Sequence, residues 1–257
     1  MVISLLVVKG FIGAIDSSGF NYALHPVFDL ITRSLSGAFG GTFVTKFFSE
    51  GPYVFALFIS FLPMLFYLAI SSVFKFGQEK NSGTIELIIY GPADGTSYII
   101  ASLIKDLILT IFYTAEILVF NWITAVINNL ALGPMYFYFL GILFFLSMTV
   151  YSYGIFSSVI TENPASALTL FIGIILFFSI IQMGSFMIIG GYISNFSNIT
   201  ASIIKWISPL FYLNLGIKAF YFRGIVDYAE SLLLFIGLNF VLIFSSHLIL
   251  KIRGIRT

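Results

Sequence analysis

The chain contains no cysteine and only two histidines, His25 and His247. Disulfides and thiolate metal sites are therefore excluded, and the redox compartment is not encoded. Charge is scarcer than a water-facing surface allows. Charged residues are 9% of the 257, against about 25% in an ordinary soluble domain. The few charges also balance, with Lys+Arg 12, Asp+Glu 11 and a net charge of +1. That leaves no electrostatic footprint for nucleic acid. Heptads, low-complexity runs and internal repeats are missing as well. What is abundant is apolar surface: 59% hydrophobic residues and a mean hydropathy of +1.05. Such a chain is solvated by lipid, so the lipid bilayer is its first expected partner.

A transmembrane helix needs about 20 mostly apolar residues. Segments 52–74, 99–127, 135–160, 167–189 and 230–250 meet that requirement. Segment 1–15 is apolar except for Lys9, but as a helix it reaches only about 22 Å against a hydrocarbon core of about 30 Å. It is read as a short first span, with an interfacial helix as the alternative. The expected fold is thus all-α: a single polytopic transmembrane domain of six helices. Segments 16–51 and 190–228 are too polar or too broken to span, and read as interfacial or re-entrant external helices. With both termini on one side, that side carries Lys75, Lys80, Lys105, Lys251, Arg253 and Arg256. Their clustering at span ends marks it as cytoplasmic in a multi-pass protein of the cell membrane. The sequons at Asn195 and Asn198 fall on the opposite face.

The longest cytoplasmic connection is 76–97, and it is the most polar stretch of the chain. Gln78, Glu79 and Lys80 end one span in water, and Asn81, Ser82 and Gly83 break the helix. Gly83 and Thr84 open a new helix with Glu86 in its first turn, where a carboxylate suits the helix dipole. Apolar Ile85, Leu87, Ile88 and Ile89 follow before Gly91-Pro92 stops it. That helix is too short to cross a membrane. Its apolar face belongs at the lipid interface, as in an ordinary hairpin loop, or in a groove of another protein.

The succession Glu79-Lys80, Gly83-Thr84-Ile85-Glu86-Leu87-Ile88-Ile89, Pro92 and Lys105 resembles the permease subunits of type-2 ABC transporters. A second stretch, Ser208-Pro209, Tyr212, Arg223-Gly224 and Asp227 leading into the last span, resembles the same family. Two departures stand out: Asn81-Ser82 is inserted before Gly83, and Asp94-Gly95 replaces the basic residue usual after the Pro. The resemblance implies an exporter permease that performs no chemistry. It would pair with a second permease copy or a homologue and dock on a separate ATPase through a coupling helix. Glu79, Lys80, Gly83, Thr84, Ile85, Glu86, Leu87 and Pro92 carry that role. The chain has no G-x-x-x-x-G-K-[ST] run, so it cannot cradle ATP phosphates itself; the resemblance implies no cofactor in this chain, with ATP and Mg in the partner.

Ionisable groups at membrane depth are costly and are functional candidates by default. Glu116 is the sharpest of these. With Asn121 and Gln182 it forms the candidate substrate path, although a helix-stitching role suits the two amides equally. Lys105 and Asp106 lie near the cytoplasmic edge and read as anchors. Asn239 and His247 share a face of the last span, but no carboxylate beside His247 completes a metal site. The alternatives are an ion-coupled secondary carrier, which calls for inverted repeats, and an intramembrane enzyme, which calls for clustered ionisable residues. The sequence shows neither feature.

Overall fold

In the computed structural model the described residues are 12–15, 22–24, 52–85, 95–128, 130, 132–188, 206–209, 212–213, 215–216 and 224–252. They form two short strands, β1 (Ile12–Ile15) and β2 (Tyr22–Leu24), and five long helices. The helices are α1 (Pro52–Asn81), α2 (Gly95–Ile127), α3 (Pro134–Ile160), α4 (Pro164–Ile188) and α5 (Ile225–Ile252). Apart from the strand pair, the regular structure among the described residues is helical.

The strands correct two expectations: Tyr22–Leu24 is a strand within segment 16–51, which was expected to form interfacial or re-entrant helices, and the end of the first segment is a strand as well. Segment 1–15 is not helical to its end, because Ile12–Ile15 pairs antiparallel with Tyr22–Leu24. Two β-branched residues flank Gly13-Ala14, and the intervening sequence carries Ser17-Ser18-Gly19. That composition favours an extended ribbon over a helix.

The helix ends follow local rules. Alpha1 runs two turns past the expected span to Asn81, tolerating Gly77, with Lys75 and Glu79 paired across one turn at 3.9 Å. Gly83, at φ 72°, then reverses the backbone where a side chain is disfavoured. Alpha4 starts at Pro164, earlier than expected, because Asn163 caps it: its Oδ1 accepts from the Ser166 N–H at 2.9 Å. Asn at the cap and Pro at the first helical position are the preferred pair. Alpha5 opens behind Gly224, at φ 97°, with Asp227 in its first turn.

Among the described residues, three helices are long and apolar enough to cross a membrane, by length and composition: Ala56–Asn81 within α1, then α3 and α5. Alpha2 has 33 residues but carries Lys105, Asp106 and Glu116. These helices carry apolar residues on both their buried and exposed faces, with small polar residues among the buried ones. Alpha5 buries Ser231 and Ser246 while Leu233, Ile236, Phe240, Val241, Phe244 and Leu248 stand exposed. Alpha3 buries Ser147, Thr149, Ser152, Ser157 and Ser158. Small polar residues bury cheaply in a helix because each hydroxyl bonds a carbonyl one turn back. Examples are Ser157 to Tyr153 at 2.8 Å and Ser246 to Leu242 at 2.8 Å. Large apolar residues on the exposed face, with small hydroxyl residues among the buried ones, suit helices solvated by lipid and support membrane association.

The chain divides into two compact units: Met1–Met64 with Phe112–Leu143, and Leu65–Ile111 with Phe144–Thr257. In the first, Phe58 meets Phe139 edge-on at 5.9 Å, and the Asn121 amide donates to Tyr136 Oη at 2.8 Å. In the second, α3 and α5 are stitched by Asn239, whose Oδ1 accepts from Ser152 Oγ at 2.7 Å. Its Nδ2 donates to Thr149 Oγ1 at 3.0 Å. Close helix approach there depends on two glycines. A Cβ on Gly77 would lie 2.9 Å from Pro164 Cα, and one on Gly154 would lie 2.8 Å from Val73 Cγ2.

Candidate functional site: the polar end of the helices

One buried cluster of the second unit gathers Phe76, Ile85, Ile99, Ile155, Val159 and Leu250. Phe76 comes from the end of α1, Ile99 from the start of α2, Ile155 and Val159 from the end of α3, and Leu250 from the end of α5. With Pro164 of α4 against Gly77, five helices contribute an end here. Such convergence requires successive helices to alternate in direction. All lysines among the described residues, Lys75, Lys80, Lys105 and Lys251, lie on the stretches of α1, α2 and α5 that lead to these ends.

Lys80 holds this end together. Its ammonium donates to the carbonyls of Val159 at 3.1 Å, Ser158 at 3.5 Å and Thr161. These are carbonyls at the C-terminus of α3, where intrahelical partners run out and the dipole is negative. A side chain of α1 therefore caps α3. Beyond it, the helix break forms at the expected residues. Ser82 N–H donates to Gln78 O at 2.9 Å, Gly83 N–H to Lys80 O at 3.2 Å, and Ser82 Oγ lies 2.7 Å from Thr84 Oγ1. Helical geometry resumes at Thr84 and Ile85.

Ile85 was expected on a surface that meets lipid or another protein. It is instead 2% exposed, packed in the cluster above. Its side chain anchors the connection to the helix ends and is not free to dock. Glu79 is partly exposed and paired with Lys75. Glu86, Leu87 and Pro92 lie outside the described residues.

Between α1 and α2, next to this end, is a pocket of about 170 Å³ lined by Ser72, Lys75, Phe76, Glu79, Tyr98, Ala101, Ser102 and Lys105. Asp106, 3% exposed, accepts from Ser72 Oγ at 2.8 Å and pairs with Lys105 Nζ at 3.1 Å. The expectation that Lys105 and Asp106 act as anchors therefore has a geometry: a buried carboxylate ties α2 to α1. The hydroxyl groups of the pocket escaped the sequence reading. Their signal was present, since Ser72, Lys75 and Glu79, like Tyr98, Ser102 and Lys105, recur at single-turn spacing near the ends of apolar spans.

The expected substrate-path residues fall in different surroundings. Asn121 is fully buried and bonded to Tyr136, which makes it a helix-stitching group. Glu116 is exposed on α2, flanked on the same exposed face by Phe112, Val119 and Trp122. Gln182 lies in α4, in the other unit, and its side chain is outside the description. No group of three or more His, Asp or Glu side chains suited to a metal occurs among the described residues. Comparison with protein-family models, with curated proteins and with solved structures finds no match to the chain.

Proposed function

We propose that this chain is the membrane-spanning permease subunit of an ABC exporter, driven by a separate ATPase. The observation that carries the reading is the mechanical node at residues 80–85. Lys80 is bonded to the end of α3, and Ile85 is packed among the ends of α1, α2, α3 and α5. A force applied from water to the segment after Ile85 is therefore delivered to several helices at once, as a coupling element requires. The polar run through Glu79, Lys80 and Gly83 to Pro92 resembles that element in type-2 permeases, and the missing P-loop fits an ATPase supplied in trans.

In this reading the lysine-bearing end faces the cytoplasm, and a second permease copy or homologue completes the substrate path. Glu116 belongs to that path or to the permease–permease contact, since a carboxylate standing in lipid is expensive. Docking on the ATPase falls to Glu86 and Leu87, because Ile85 is committed to the fold.

The test is copurification and coupled turnover. The chain should copurify with an ATPase carrying Walker motifs. Glu86→Lys and Leu87→Pro should keep the folded permease but uncouple hydrolysis from transport. Full coupled transport by both variants would refute the docking role.

A further inference from the structure

The pocket between α1 and α2 is left over once the coupling node is described, and its chemistry is unusual for the wall of an apolar bundle. Two helical stripes face each other across it, Ser72, Lys75 and Glu79 on α1 against Tyr98, Ser102 and Lys105 on α2. At about 170 Å³ it has room for several water volumes of about 30 Å³ each, enough for a small tetrahedral anion. The charges are not equally free. Asp106 is buried and already holds Ser72 Oγ and Lys105 Nζ. An ammonium has three donors, so Lys105 keeps donors beyond that pair, and its side chain is 40% exposed. The Lys75 side chain is 61% exposed and meets Glu79 only at 3.9 Å, the outer limit of an ion pair. With the Ser72 proton committed to Asp106, the pocket offers two ammonium groups and the hydroxyls of Tyr98 and Ser102 to an anion, with Glu79 beside them as an acceptor for a cation.

The surroundings identify the kind of molecule. Ile104 and Ile108 follow Ala101 and Lys105 at single-turn spacing along α2, and both are exposed, at 52% and 59%. A ligand with its polar head in the pocket therefore has an apolar track along the helix beside it. Free phosphate would use only the first of these features, whereas a phospholipid uses both.

We propose that this pocket binds the headgroup of a membrane phospholipid bearing a phosphate and an amine, such as phosphatidylethanolamine. Lys75 and Lys105 hold the phosphate, Glu79 receives the ammonium, and the acyl chains lie along Ile104 and Ile108. The headgroup and the pocket are each charge-balanced, so the complex buries no net charge. Basic pockets between membrane helices near the cytoplasmic surface bind lipid headgroups by the same physics. The inference requires a bilayer and does not depend on the transport reading.

The experiment is native mass spectrometry of the full chain released from nanodiscs of equal parts phosphatidylethanolamine, phosphatidylglycerol and phosphatidylcholine. Phosphatidylethanolamine should be the lipid retained. Lys75→Gln, at an exposed position that leaves the Asp106 pair intact, should lower its retention by about fivefold, the effect of one lysine at a membrane surface. Glu79→Gln should keep phospholipid but lose the preference for ethanolamine over glycerol. Retention in Lys75→Gln equal to the parent would overturn the proposal. So would equal retention of the three lipids by the parent, or thermal stabilisation by inorganic phosphate as large as that by phosphatidylethanolamine.

Discussion

Lys80→Met separates a structural from a docking role at the residue where the two readings meet. The substitution keeps the aliphatic stem and removes the ammonium that bonds the Ser158, Val159 and Thr161 carbonyls. A hydrogen bond from a charged donor contributes about 1.5–3 kcal/mol net when shielded. A cation at a helix C-terminus adds about 0.3–1 kcal/mol, more when partly buried. Lys80 is only part-buried, so solvent competes for its donors, and a total near 2 kcal/mol is the expectation. At about 2–4 °C per kcal/mol for a chain of this size, the apparent Tm should fall by about 4–8 °C. Differential scanning fluorimetry in one detergent, at one scan rate, measures this, because membrane-protein unfolding is commonly irreversible. Lys80→Arg retains the charge and should recover part of the loss. A Lys80→Met protein with an unchanged Tm but lost ATPase coupling would refute the cap and return Lys80 to the docking surface.

Other expectations follow from the packing and the polar contacts. Gly154→Ala places a Cβ 2.8 Å from Val73 Cγ2 and should destabilise by about 1–3 kcal/mol; adding Val73→Ala should recover most of it in a double-mutant cycle of thermal stability. Asn239→Leu removes the bonds to Ser152 and Thr149 and should lower stability by about 0.6–1.7 kcal/mol, the range for such bonds between membrane helices. Burial raises the pKa of Tyr212, whose hydroxyl donates to the Trp206 carbonyl. A raised folded-state value means that its stabilisation is complete below the unfolded value near 10 and is lost as pH rises through the folded one. Tyr212→Phe should therefore flatten the alkaline limb of the Tm-versus-pH curve. Glu116→Gln should change transport and its pH profile if the carboxylate faces the path, and an unchanged profile would demote Glu116 to structure.

Several parts of the fold and site were legible because they rest on local rules. The break after Asn81 follows from Ser82-Gly83, and the start of α4 from Asn163-Pro164. The apolar span at 135–160 matches α3 closely, and that at 230–250 lies within α5, which starts more than a turn earlier at Ile225, since length and hydropathy are additive along the chain. Beta1 was not legible, because a short apolar run such as Ile12–Ile15 suits helix and strand alike until a pairing partner is known.

The sequence alone determined the solvent of this protein, for 9% charge cannot cover a surface in water. It also determined where one helix must stop. Only the tertiary structure decided what the polar residues do. Lys80 reaches a helix 78 or more positions away in sequence, Ile85 turns inward, Asp106 joins Ser72, and Asn121 joins Tyr136. Each outcome depends on which helix face lies opposite, a property of the packed chain rather than of the residue type. An apolar pattern in lipid leaves that choice open, because in the bilayer both faces of a helix are apolar and only close packing and a few polar bonds tell them apart.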